Sequence, residues 1–481
     1  MNASRRPSNF DKFSHEVRLA FQEYLTTPTI IIVAFLVLAI AMIALEQSDI
    51  SWLDRLRGSI ESITFGEASS TQTTLGAAAG ALITITSITF TVLLIAIQQA
   101  AGAMSPVITD QFLRRPFNQV VFGYFVGMSL YSLIVLATTH STFDPVLSAL
   151  LAFVFSGIAL YLLTALVYVT LTQMRPPVVI HATRDGVLEA RKRQLPIVEQ
   201  TRRAPQMSAG TRVPVQSRAD GYVYNIDLRT IERAIGGRRD SLEIVLHVQV
   251  GSFIALHDEV AEIRVVPGTD TEEVSQAILQ ALQLGRARDL QYDPAHGIRA
   301  IMNIGWTSIS TSKQDPVPGT EAIQALRSLL AHWVGEEEDG LPDHEKLPVV
   351  YDDDILWQPL RALESLAVAA TESMQHQNFA LVLRTFGRMF DRLPPPQRSQ
   401  LEEMIPRILS RLQCEVLTTD LDEALLELAD ALAIARSSEV GEIVWEARQQ
   451  ARNAIPGLAD DDGSAPDRSE GKASAPESEP C

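Results

Sequence analysis

Up to about residue 174 the chain alternates long uncharged apolar runs with short polar connections, and beyond it charged residues recur every few positions. Four of the runs, 28–45, 75–97, 117–139 and 145–172, are long enough to cross roughly 30 Å of hydrocarbon, which takes about 20 helical residues. The first has a rival reading, because Ala-Ile-Ala at 39–41 resembles a signal-peptide cleavage site. The long polar leader and the full span length of the run favour a retained helix.

The second run contains "ITITSITFTVLLIAIQQA" (83–100), whose opening alternates β-branched residues with Thr and Ser as a half-buried strand does. A strand there would end inside the apolar run and leave unpaired backbone groups in lipid, so a helix is expected. At about 100° per residue, Thr73, Gly76, Gly80, Thr84, Ser87, Thr91 and Gln98 fall within about 80° of one another, and Thr86 and Thr89 point away. Two readings of this small, polar stripe stay open. One is close helix packing, since "GAAAG" (76–80) and "GYFVG" (123–127) are both Gly-x-x-x-Gly pairs that let backbones approach, and Thr and Ser return their hydroxyls to the preceding turn. The other is a pore or polar cavity ringed by copies of this helix, with Gln98 near its cytoplasmic end. No Asp, Glu, Lys, Arg or His lies in the core of any span, which argues against a proton relay or a charged-substrate pump.

Orientation follows from the flanks, where Lys and Arg mark the cytoplasmic side. Arg5, Arg6, Lys12 and Arg18 in the leader, Arg114 and Arg115 in the second connection, and Arg175, Arg184, Arg191, Lys192 and Arg193 at the exit share one side if four helices alternate. The opposite side receives the acidic first connection, with Glu46, Asp49, Asp54, Glu61 and Glu67. Both termini are therefore expected in the cytoplasm. Within the leader, Phe10, Phe13, Val17, Phe21 and Tyr24 stand at helical spacing, predicting an interfacial amphipathic helix over 1–27 before a membrane domain over 28–174.

An Arg- and Pro-rich stretch, 175–214, reads as a linker. After it, 218–228 and 241–266 alternate as β-branched strands, with "RTIERAIGG" between them as a short helix and Gly221 and Gly251 at tight turns. This small β domain, 215–268, resembles the barrel-sandwich hybrid of lipoyl and biotinyl carriers and membrane-fusion adaptors. The connection "LRTIERAIGGRRDS" holds no lysine for a carrier's attached group, so the module is expected to serve as a spacer or docking element. From Thr271 the period turns helical, and a cytoplasmic helical domain is expected over 269–456.

In that domain, Asp293-Pro294 and Asp315-Pro316 signal helix starts, with Arg286, Arg288 and Arg299 close to the first. Helix starts plus arginines suit an anion or small ligand, and the same residues serve equally as caps and ion pairs. Together with "SITFTVLLIAIQQAAGAMSPVITDQFLRRPFNQVVFGYFVG" (87–127), the segments "DPAHGIR" and "QDP" resemble the bacterial membrane proteins of the DUF2254 family, over most of the chain. The resemblance implies four spans and a cytoplasmic region and brings no activity with it. The chain departs from the family pattern where Thr307, Ser310-Thr311 and Gln314 replace an Arg, a Ser-Pro and an Asn, and at His257, Glu259 and His296. Such changes bear on any ligand that the usual residues hold.

"RLPPPQ" (392–397) breaks two amphipathic helices of the bundle, and the acidic Pro/Ser tail 457–481 is expected to lack order. A net charge of −18 without a concentrated basic surface excludes nucleic acid as a natural partner. Cys414 and Cys481 make no zinc or redox spacing. The nine histidines form no His-Glu-x-x-His or His-x-His motif, and His332 with His344 and the acids 336–339 read as a solvated loop rather than a metal site. No phosphate loop, nucleotide fingerprint or nucleophile elbow is present. The sequence thus predicts four transmembrane helices plus a cytoplasmic α+β region, in a bacterial inner membrane, with no cofactor, no metal and no catalytic residues. Its partners are expected to be the bilayer, further copies of itself and an unidentified small ion or ligand. The expected role is a homo-oligomeric conduit with the second span on its axis, or alternatively a membrane-anchored scaffold or sensor.

Overall fold

The structure, a computed structural model, describes residues 25–48, 68–103, 116–139, 143–173, 175–207, 210–310, 315–335, 345–410, 412 and 417–455. The leader up to residue 24, most of the acidic first connection, Arg114 and Arg115, Gln314, His344, the acids 336–339 and the tail lie outside them. The chain divides into two compact units, 1–175 and 176–481.

The first unit holds α1 (Thr26–Glu46), α2 (Ala68–Ala103), α3 (Pro116–Thr138) and α4 (Val146–Gln173). All four are long and apolar enough to cross a membrane. The most buried is α3, 50% of whose most apolar window is covered, against 11% for α1 and 17% for α4. Its glycines explain this. A Cβ on Gly123 would stand 2.8 Å from the Pro28 backbone of α1, and one on Gly127 would stand 2.6 Å from the Phe35 ring. Missing side chains thus bring α1 and α3 together, as small residues do in membranes. Phe35 fills the space, edge-on to Tyr124 and Phe155. At the end of α1, the buried Glu46 carboxylate accepts from the Ser148 amide at 2.6 Å and the Ser148 hydroxyl at 3.0 Å. It therefore satisfies a backbone amide in the first turn of α4, where a helix has donors without partners of its own. The Tyr131 hydroxyl of α3 donates to the Ser148 carbonyl and joins this tie.

The second unit opens with a correction. The stretch expected as a linker is α5 (Pro176–Gln200), a 25-residue helix. Val179, Ile180, Thr183, Val187, Ala190, Gln194 and Ile197 recur on one buried face, and Pro176 and Pro177 occupy the first turn, where no amide hydrogen is needed. The arginines and prolines sit among these positions and leave the apolar period weak in the sequence.

Next come β1 (Thr211–Gln216), β2 (Gly221–Ile226), α6 (Leu228–Ile235), β3 (Leu242–Leu246), β4 (Phe253–Ile254), β5 (Glu259–Val265), α7 (Glu272–Ala281) and β6 (Leu282–Gly285). The short helix falls where expected, with the Asp227 carboxylate accepting from the Arg229 amide at its start. The sheets are not confined to 215–268. One has the order β1-β5-β3-β7, the other β4-β2-β6, so β6 and β7 (Val349–Val350) complete them from within the region expected to be helical. The strand β7 lies parallel to β3, which only a long connection permits. A shared core of Ile, Val and Leu, including Ile231, Ile244, Val260 and Ile263, lies between sheets and helices.

The remaining elements are α8 (Pro294–Ile309), α9 (Val317–Trp333), α10 (Trp357–Glu372), α11 (His376–Phe390), α12 (Pro395–Leu409), α13 (Thr419–Ile434) and α14 (Ser438–Asn453). Here α8 packs on both α9 and α10, α11 packs on α13 past the intervening α12, and α13 packs on α14, with α5 against α8 and α9. The proline run ends α11 and starts α12 as read from the sequence.

Candidate functional site

In the first unit, α2 presents two opposite faces. Thr71, Leu75, Ala78, Leu82, Ile85 and Thr89 are buried in the bundle. At about 100° per residue, the small, polar stripe lies about 180° from that face. Its members Thr73, Gly80, Thr84, Ser87, Thr91 and Gln98 are exposed, and Gly76 is half-buried. A Cβ added to Gly76 or Gly80 would meet nothing within 4 Å, in contrast to Gly123 and Gly127. One Gly-x-x-x-Gly pair is consumed within the chain and the other is left open.

Two of the stripe's hydroxyls return to their own helix. Thr84 donates to the Gly80 carbonyl at 2.9 Å and Thr91 to that of Ser87 at 3.0 Å. Large apolar side chains flank the stripe, with exposed Ile83 and Phe90 on one side and Ile88 and Ile95 on the other. Between α2 and α3 runs an open groove of about 450 Å³, lined by Ile83, Thr86, Ser87 and Phe90 opposite Phe122, Val126 and Leu130. The exposed faces of α1 and α4 differ in kind: Ile30, Val33, Val37 and Ile40 on one, Phe153, Leu160, Tyr161, Tyr168 and Leu171 on the other, as lipid contact favours.

In the second unit, the start of α8 gathers most of the other residues singled out by sequence. Asp293 is 2% exposed, and its carboxylate accepts from the His296 amide at 3.1 Å and from Arg288 Nε at 2.5 Å. Gly251, at φ +91°, lies directly against that carboxylate, where any Cβ would collide with it. Burial, reinforced by the Arg288 charge, holds the His296 imidazole below its ordinary pKa. Arg286 and Arg299 are exposed nearby in sequence. Asp315 stands apart, exposed before α9, where its carboxylate accepts from the Val317 amide and its carbonyl from the Ser308 hydroxyl. Because α8 has 16 residues at about 1.5 Å each, the two Asp-Pro starts lie at opposite ends of a helix about 24 Å long. The Asp293 carboxylate also occupies the helix start that an anion would use, so the geometry favours capping and ion pairing there.

Two polar ties carried no sequence signal. One is the Glu46 cap, and the other is Arg191, which holds Asp353 through two hydrogen bonds of 2.9 and 2.7 Å across 162 residues.

Comparison with known proteins adds one match. The family described as "Predicted membrane protein (DUF2254)" matches residues 22–363, which include all four spans, both sheets and the start of α10. No curated protein and no solved structure matches the chain.

Proposed function

From the premise that this chain belongs to the DUF2254 family of predicted membrane proteins, we propose that it is a homo-oligomeric conduit of the bacterial inner membrane with α2 lining its axis. The observation that carries the reading is the exposure of Gly80, Thr84, Ser87 and Thr91 on the side of α2 opposite its packed face. Lipid tails gain nothing from small, polar side chains, whereas neighbouring helices gain close backbone approach. In a ring of copies, the stripe faces the axis and the Ile and Phe flanks meet adjacent copies. The pathway is then weakly polar and uncharged, suited to a small solute or ion. The positive flanks of the sequence support a topology with both termini in the cytoplasm, in which the second unit serves as a sensor or assembly ring. The proposed role is passage rather than catalysis.

A second reading is a membrane-anchored scaffold or sensor without conduction. It is favoured by the Thr84 and Thr91 hydroxyls, whose bonds to their own helix leave no need for water. Single-channel recording on purified protein in planar bilayers separates the two. Discrete openings altered by Ser87→Leu and Thr91→Leu support the conduit. Silence of folded oligomers under voltage, tension and pH steps supports the anchor.

A further inference from the structure

Strand β5 contains an irregularity that groups side chains which its sequence would separate. Its register against β1 passes from Val215↔Ala261 to Gln216↔Glu259, so Val260 is an extra residue. In an uninterrupted strand, Glu259 and Glu262, three positions apart, point to opposite faces. A bulge re-aims the strand and removes that separation. The partner is His247, which directly follows β3 and whose amide donates to the Val260 carbonyl at 2.9 Å. One donor atom from each of His247, Glu259 and Glu262 lies within 4.8 Å of the others, and His247 Nδ1 stands 3.6 Å from Glu259 Oε1.

We propose that His247, Glu259 and Glu262 form an exchangeable binding site for a first-row divalent transition ion on the sheet module. One imidazole and two carboxylates match a borderline ion such as Zn²⁺ or Mn²⁺, whereas Ca²⁺ and Mg²⁺ favour all-oxygen sets. Three protein donors leave coordination positions for water. Arg264 Nε donates to Glu262 Oε1 at 2.7 Å and Arg212 Nε lies 3.7 Å from the same oxygen, which fixes the side chain. His247 and Glu259 are exposed, giving the ion entry from solvent. An ion here would clamp the end of β3 to the bulge of β5.

The test uses untagged full-length protein in detergent, with Cys414 and Cys481 replaced by Ser so that thiols do not compete. Zn²⁺ and Mn²⁺ are titrated calorimetrically at about neutral pH after chelator treatment. Saturable binding of one ion per chain is expected, weakened roughly tenfold or more by His247→Ala and by Glu259→Gln and unchanged by His181→Gln. Metal-free melting and circular dichroism of the variants establish that they fold; should His247→Ala fail, Glu259→Gln carries the test. Absence of binding up to millimolar metal, or binding that neither variant weakens, overturns the proposal.

Discussion

Single residues set how closely elements approach, and Gly127 and Gly80 make opposite cases on neighbouring helices. A Cβ at Gly127 would collide with Phe35, so Gly127→Ala is expected to destabilise the membrane bundle by about 1–3 kcal/mol, read as earlier thermal unfolding in detergent. Gly80→Ala meets open space and should leave unfolding unchanged. Asp354 supplies a pH test. Burial raises its pKa, with the neighbouring Asp353 and Asp352 charges adding to the effect and the Gln358 hydrogen bond opposing it. The folded state then binds this proton more tightly than the unfolded state, so stability falls as pH rises through the raised pKa. Asp354→Asn should therefore melt at a higher temperature than wild type at neutral pH, and the difference should vanish once the solution is acid enough to protonate Asp354 in both states.

At the scale of elements, polar ties hold pieces that lie far apart in sequence. The buried Arg191 reaches from α5 to Asp353 just before α10. Removing one partner leaves the other charge uncompensated, so Arg191→Met is expected to cost about 3–5 kcal/mol. The pair Arg191→Met with Asp353→Leu should recover much of that loss, which a double-mutant cycle of denaturant unfolding measures. Asp293 does similar work for α8, linking its first turn to Arg288 while its carboxylate packs against Gly251. Asp293→Ala removes a helix cap and strands Arg288 together, and a loss of about 3 kcal/mol is expected. A ligand held there would instead reveal itself as a ligand-dependent rise in melting temperature that Arg288→Gln abolishes.

At the scale of the whole molecule, the question is what covers the outer face of α2. With both native cysteines replaced by Ser, Thr84→Cys is expected to crosslink between copies under mild oxidation in native membranes. Thr89→Cys, on the buried face, should not. Equal crosslinking at both positions would contradict the packing of α2 against its own bundle, and none at either would leave the stripe facing lipid. Ser87→Leu should reduce assembly or conductance while leaving the fold of the single chain intact, because Ser87 is exposed there.

The four spans, the helix start at Asp293, the short α6 and the break at 392–397 were all legible because each rests on a local rule: length in lipid, a capping side chain, a helical period, or a proline without an amide hydrogen. The stripe on α2 was legible as a periodicity too. Which way it points was not, since a helical period gives two faces and only the competition among neighbours decides which is buried. Here the larger apolar face of Leu75, Leu82 and Ile85 took the bundle and left Gly80 and Thr84 outside. Likewise, α5 was hidden by its arginines, β6 and β7 joined sheets begun long before them, and a one-residue bulge brought Glu259 beside Glu262 and His247. Local sequence therefore determined the elements and the membrane character. Pairing across long separations, which depends on the whole set of surfaces competing for burial and on backbone groups seeking partners, was decided by tertiary structure alone.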